Sequence, residues 1–238
     1  VADIGGGTSD FSLVRVGPRQ RRKVDRHADI LANHGVHVAG TDFDRHIELA
    51  HILPVCGYRG VGPTGREVPS KVYFDLATWH LINTVYAAGR VAELQQMRSF
   101  YADLRHHARL MDVVQQRLGH ALIGQAEAAK IAVADGGATR IDLSLIEAGL
   151  ERSVQEADAI TAIEADLAQI LAAADETLAQ AGLAAAQVGA LYFTGGSTGL
   201  RPLAERIAAR FPQARVVRGN RFSSVAQGLG VHAQRVFG

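Results

Sequence analysis

The sequence predicts an α/β fold, a mixed sheet flanked by helices, with a mainly helical subdomain inserted into it. Three observations predict this. A short apolar strand running into a glycine turn occurs twice, at Val1–Ile4 before Gly5-Gly6-Gly7 and at Val188–Phe193 before Gly195-Gly196. The last third of the chain alternates strand and helix, the pattern of an α/β layer. Between them, residues 70–134 carry apolar side chains at helical spacing with almost no strand alternation. The expected limits are 1–53 with 135–238 for the sheet-based part and 54–134 for the helical insert.

Composition narrows the class. The chain has 238 residues, 47% hydrophobic and 21% charged, which suits a globular protein with a substantial core. A net charge of +1 gives no electrostatic case for nucleic acid or an anionic membrane as partner. No apolar run approaches the roughly 18 residues of a membrane span, and neither a leader peptide nor a membrane anchor is expected, so the expected location is the cytoplasm. Cys56 is the only cysteine, which excludes an intrachain disulfide and a cysteine-based zinc site and leaves it as an ordinary loop thiol. The chain starts at Val1 on a strand already under way, which reads as a fragment lacking its N-terminal portion.

In order, residues 1–38 read as a meander: Val1–Ile4, then Phe11–Val16 with Phe11, Leu13 and Val16 inward, a Gly17-Pro18 turn, and Val24–Val38. The basic run Arg19-Gln20-Arg21-Arg22-Lys23 falls at the hairpin tip as a solvated turn. Gly40-Thr41-Asp42-Phe43-Asp44 opens a helix that Thr41 or Asp42 caps, whose acidic start suits the helix dipole and which Pro54 ends. Gly60-Val61-Gly62-Pro63-Thr64-Gly65 spells a dinucleotide fingerprint in the wrong context, because no strand precedes it and Pro69 breaks the helix that would have to come next; it reads as a loop. Ser70 to Ala134 reads as three helices with Leu76, Trp79, Ile82, Val85 and Tyr86 as an apolar stripe. His80, His106, His107 and His120 lie there without the carboxylate spacing of a helical metal site.

Thr139–Ser144 reads as a strand after a Gly136-Gly137 turn, with a second strand near Leu150–Val154. Residues 157–182 form one Ala-rich helix, with Ile160, Ile163, Leu167, Ile170, Ala174, Leu178 and Ala181 near heptad spacing. It is expected to pack on a sheet rather than in a coiled coil, and Gly182 caps it. Strand Val188–Phe193, helix Leu200–Phe211, strand Arg215–Val217 and helix Ser223–Val236 complete the chain.

The chemistry concentrates at the two glycine turns. In the first, backbone N–H groups can crowd a phosphate while Asp3 and Asp10 on either side hold water and metal. In the second, Gly195-Gly196 lies beyond the carboxyl end of a strand, where ligands of such sheets bind.

Four segments, in order, resemble the DnaK-type heat-shock chaperones of the actin-like (ribonuclease H-like) ATPase fold. Asp3-Ile4-Gly5-Gly6-Gly7-Thr8-Ser9-Asp10 resembles their second phosphate motif and Gly40-Thr41-Asp42-Phe43-Asp44 their next helix start. Glu127-Ala128-Ala129-Lys130 resembles a helix touching the nucleoside, and Gly195-Gly196-Ser197-Thr198 the adenosine motif. The helical insert and the ending Gly219-Asn220-Arg221-Phe222-Ser223-Ser224-Val225-Ala226-Gln227-Gly228-Leu229 are similar to the shortened YegD-like relatives of DnaK.

The resemblance covers essentially the whole chain and implies lobe II of an ATP-binding domain, with ATP or ADP and Mg²⁺ as ligands. It implies that Asp3 and Asp10 hold the Mg²⁺ shell and the lytic water, that Gly5, Gly6, Gly7 and Thr8 contact the β- and γ-phosphates, and that Thr8 lies near the transferred phosphate. Glu127 and Lys130 would approach the ribose, and Gly195, Gly196, Ser197 and Thr198 the adenosine. The implied partners are an N-terminal lobe of the same protein, client proteins and co-chaperones; the parent would be a weak ATPase and this chain alone inactive. Ile131 stands where the family has Arg beside the adenine, Ala134 where it has Ser, and Phe222 where an acidic residue is common. Two other readings stay open: a bacterial actin-like filament protein, and a regulatory or reactivating factor with a degenerate site.

Overall fold

The computed structural model describes residues 1–21, 23, 25–220 and 223–237. In chain order the elements are β1 (Ala2–Ile4), β2 (Ser9–Val14), α1 (Pro18–Arg21), β3 (Ile30–Val36), α2 (Gly40–Ile47), α3 (Lys71–Ala77), α4 (Ile82–Val85), α5 (Ala88–Gln96), α6 (Leu104–Gln115), α7 (Gly119–Ala132), β4 (Ala138–Asp142), β5 (Glu151–Gln155), α8 (Glu156–Ala162), α9 (Glu164–Gln180), β6 (Ala190–Thr194), α10 (Arg201–Ala209), β7 (Arg215–Arg218) and α11 (Ser224–Phe237). They gather into two compact units, Val1–Asp42 with Glu164–Gly238, and Phe43–Ile163.

The first unit is α/β. Its mixed five-stranded sheet runs β3-β2-β1-β6-β7; β1, β2 and β3 form an antiparallel meander, and β6 lies parallel to both β1 and β7. Between Leu13 and Val14 of β2 the partner on β3 jumps from Ala32 to Ile30, so Leu31 is an extra residue and β3 bulges there. The helix α9 packs against β2 and β3 and against α10. It does so through Leu167, Ile170, Ala173, Ala174 and Thr177, which fall at helical spacing on its buried stripe. Ala2, Ile4, Phe11, Leu191, Phe193, Leu203 and Ile207 complete that core.

Several expectations change here. Val16 is 71% exposed rather than inward. The strand expected from Val24 begins at Ile30, with Val24 itself outside the described residues. The basic run is not a bare hairpin tip: Pro18 starts the short helix α1, its fixed φ suiting a first turn, and Lys23 and Arg26 hold the buried Asp29 at 3.4 and 2.9 Å. Arg22 is outside the described residues. The single helix expected over 157–182 breaks at Ile163 into α8 and α9, the first of which belongs to the other unit. Gly182, at φ +62°, ends α9 as expected. The final strand and helix run to Arg218 and Phe237, and Phe222 and Arg221 of the family-like ending are outside the described residues.

The second unit is mainly helical and also holds the antiparallel pair β4–β5, with β5 at Glu151–Gln155 rather than 150–154. Its buried side chains include Phe43, Ile47, Leu76, Ile82, Leu94, Leu110 and Leu122. The coil that begins with α2 does not stop before Pro54. It passes into a π-helical turn, Glu48–Ile52, and then a 3₁₀ turn, Leu53–Cys56, where Pro54 sits in the first positions and needs no N–H partner. Cys56 is therefore no loop thiol: it is 0% exposed, and burial pushes its thiol up to about 12, which makes it inert. Five helices, α3 to α7, replace the three expected over 70–134. Trp79 leaves the apolar stripe because α3 ends at Ala77, and it is 60% exposed. His107 is a core histidine whose Nε2 lies 2.9 Å from the Leu94 carbonyl. The Gly60–Gly65 stretch is a loop closed by Gly62 N–H on the Arg66 carbonyl.

Candidate functional site

The site builds up from the β1–β2 hairpin. Its register pairs Ala2 with Phe11, Asp3 with Asp10 and Ile4 with Ser9. Strand alternation buries Ala2, Ile4, Phe11 and Ser9 on one face, and sets Asp3 and Asp10 directly opposite each other on the other. Like charges at such a pair cost roughly 0.2–1 kcal/mol rather than stabilise. Neither carboxylate has a hydrogen bond or ion pair among the described residues. Asp3's carboxyl is held above the usual carboxylate range, first because burial strips water from it and then because Asp10's charge opposes ionisation.

Glycines make room for the pair on both sides. Gly35 stands opposite Asp10 on β3, and a Cβ there would collide with Asp10 Oδ1. On the other flank, a Cβ on Gly195 would meet the Ile4 carbonyl and lie 2.6 Å from Asp3 Oδ1. Gly195 also takes φ +83°, so two separate demands exclude a side chain.

The loop Gly5–Thr8 closes through Gly5 N–H on the Thr8 carbonyl at 2.9 Å. Its carbonyls are tied behind it. That of Gly5 accepts from Gly40 N–H at 3.2 Å and from Ser197 Oγ at 2.7 Å, and that of Gly6 from Thr41 N–H at 2.7 Å and Thr41 Oγ1 at 2.9 Å. Fixing these peptides by their oxygens leaves the N–H groups of Gly6, Gly7 and Thr8 without an acceptor among the described residues, on an exposed loop. Successive bare N–H groups form a concavity suited to an anion. A Cβ on Gly40 would lie 2.5 Å from Ser197 Oγ and 3.3 Å from the Gly5 carbonyl oxygen, so it would turn Ser197 away from the bond it donates to that carbonyl. Of the two expected caps, Asp42 accepts the Ala39 N–H at 3.1 Å, while Thr41 serves the loop instead.

The second turn leaves the carboxyl end of β6, parallel to β1. Gly196–Gly199 form a 3₁₀ turn, held by Thr198 Oγ1 on the Gly195 carbonyl at 2.7 Å. Thr194 Oγ1 lies 2.5 Å from Ser224 Oγ, which donates to the Asn220 carbonyl at 2.8 Å and anchors the start of α11. The structure thus brings together Asp3, Gly5, Gly6, Gly7, Thr8, Asp10, Gly195, Gly196, Ser197 and Thr198. Among the described residues no three His, Cys, Asp or Glu side chains gather for a metal, so a cation would rest on two carboxylates and water, a set that suits Mg²⁺. A cleft of about 520 Å³ in the same unit opens at the other end of β1, among Val1, Leu13, Ala174 and Phe211. Its lining is mainly apolar and marks no chemistry.

Glu127 and Lys130 belong to α7 of the helical unit. Glu127 is exposed, and Lys130 Nζ lies 2.6 Å from Asp44 Oδ1, both largely buried. Desolvation raises the Asp44 carboxyl against the pull of Lys130. One turn on, Glu48 is 0% exposed with neither oxygen partnered among the described residues, and its carboxyl is raised well above the usual range by burial and by Asp44. Ile131 is 63% exposed. Sequence reasoning missed Gly35 and Glu48. No local signal marks the first, whose role is set by its partner on another strand; a lone acid in an apolar helical stripe, Phe43-x₃-Ile47-Glu48-Leu49, was the sign of the second. Among the described residues no helix is long and apolar enough to cross a membrane. No family model matches the chain.

Proposed function

We propose that this chain is the ATP-binding lobe of a DnaK-like molecular chaperone, a cytoplasmic protein of the actin-like ATPase fold whose site is completed by an N-terminal lobe of the same protein. The observation that carries the reading is the pairing of three bare N–H groups at Gly6, Gly7 and Thr8 with the unpartnered carboxylates of Asp3 and Asp10. The N–H groups suit the β- and γ-phosphates, and the carboxylates suit Mg²⁺ held through water. Gly195, Gly196, Ser197 and Thr198 offer nearly bare backbone to the adenosine.

In this reading the residues position and neutralise, which is most of what phosphoryl transfer requires. Asp3 and Asp10 orient the attacking water, and the Thr8 hydroxyl lies beside the terminal phosphate. Bound Mg²⁺ would supply neutralisation of the phosphate charge. Hydrolysis needs the second lobe, so the chain alone binds without turnover.

Calorimetric titration of the full-length protein with ATP, ADP and GTP in Mg²⁺ tests this. Saturable ATP and ADP binding that Asp3→Asn weakens is expected, and absence of all nucleotide binding refutes it. The exposure of Ile131 and the engagement of Lys130 by Asp44 favour a second reading, a regulatory factor with a degenerate nucleoside pocket. Phosphate-dependent binding indifferent to the base would select that one.

A further inference from the structure

The π-helical turn Glu48–Ile52 is a local irregularity of the kind that concentrates at functional sites. It carries orphaned polar atoms in two directions. Glu48 points into the core, while the buried Nε2 of His51 has no partner among the described residues. His51 lines a cleft of about 670 Å³ in the helical unit, shared with Leu49, Tyr58, Arg59, Phe74 and Asp158. That volume lies within the usual range for small-molecule sites.

The lining sorts into an aromatic wall and a cationic rim. Tyr58 and Phe74 meet edge to face, with centroids 5.9 Å apart at 80°. Arg59 sits beside them with its guanidinium carbon 5.4 Å from the Tyr58 centroid and no carboxylate partner among the described residues. Its backbone is left-handed, φ +57°, where a non-glycine residue is strained. The opposing charge is Asp158 on α8, and its Oδ2 already accepts the Gln155 N–H at 3.0 Å as part of that helix's cap. On this aromatic-lined cleft the guanidinium of the exposed, strained Arg59 is the group that lacks an acceptor among the described residues.

We propose that this cleft binds a small organic anion with a flat aromatic body. Its carboxylate is held by the Arg59 guanidinium, and its ring lies against the exposed face of Phe74 with His51 lining the same cleft. The cleft is lined by residues of the helical unit alone, and the proposal does not depend on the function of the glycine turns.

The test titrates the full chain with 2-naphthoate, 2-naphthylmethanol and 2-naphthylmethylammonium, following the His51 imidazole resonances by NMR. Saturable naphthoate binding that shifts His51 is expected, with the alcohol weaker by about tenfold or more, the loss of charge-assisted hydrogen bonds. Arg59→Gly relieves the left-handed strain, so it should fold with a Tm no lower than the parent. It should weaken naphthoate about tenfold and leave the alcohol unchanged. Equal affinity for all three probes, preference for the ammonium, no saturable binding, or indifference to Arg59→Gly overturns the proposal.

Discussion

Glu48→Gln separates the cost of an ionisable group from that of its shape. Both Glu48 oxygens are buried without a partner among the described residues, and Asp44 one turn earlier adds negative charge, so the folded chain keeps the carboxyl protonated well above its ordinary 4.5. Above pH 4.5 the unfolded chain releases that proton and the folded chain does not. The folded state then binds more protons, and unfolding free energy falls as pH rises, by up to about 1.4 kcal/mol per pH unit, until the folded value is passed. Below pH 4.5 both states are protonated and the cost disappears.

Glutamine has nearly the same shape and cannot ionise. The variant should match the parent near pH 4 and become progressively more stable from pH 5 upward, each kcal/mol appearing as about 2–4 °C in Tm for a chain of this size. Urea unfolding at pH 4, 5.5, 7 and 8, read by fluorescence, is the assay. Trp79, the single tryptophan, lies in the unit that holds Glu48 and reports on it. A gap that does not change with pH, or a variant less stable than the parent at pH 7, refutes the reasoning, because it would mean that the carboxylate has a partner.

Three further outcomes come from the geometry. Gly195→Ala forces a Cβ onto the Ile4 carbonyl at φ +83° and should cost at least about 1–3 kcal/mol in thermal denaturation. Asp10→Asn removes the repulsion with Asp3 and should raise stability by roughly 0.2–1 kcal/mol in metal-free buffer; on the proposed reading of the site it should also abolish Mg²⁺-dependent nucleotide binding in calorimetry. Lys130→Met strands the largely buried Asp44 and should cost about 3–5 kcal/mol by chemical denaturation, most of it recovered in the double variant with Asp44→Asn.

The strands around the glycine turns were legible because alternation and glycine punctuation are local signals: Ala2 and Ile4 in, Asp3 out, Gly5 onward a turn. The juxtaposition of Asp3 with Asp10 comes from a four-residue loop between antiparallel strands, which leaves one register. Gly35 was not legible, since its role is set by a partner on another strand. The helical unit was harder. Trp79 has the spacing of its neighbours, but the helix ends two residues before it, and the apolar stripe cannot show that. Cys56 reads as a loop thiol because Pro54 reads as a stop, whereas a proline in the first positions of a 3₁₀ turn starts one. The break at Ile163 is invisible to periodicity because α8 and α9 are both Ala-rich, and the division falls between two units rather than at a glycine or proline.

The strand order leaves β3 and β7 with an unpaired side each, and open edges invite a second chain to add its own strand. Both are blunted. The extra Leu31 twists β3 out of a straight template, and β7 carries Arg215 and Arg218 at its two ends, so a copy laid antiparallel against it would bring like charges together. Fibrillar assembly by continuing this sheet is therefore disfavoured at each end. The exposed glycine loop can stay open on a molecule whose sheet gives a neighbouring chain nothing regular to extend.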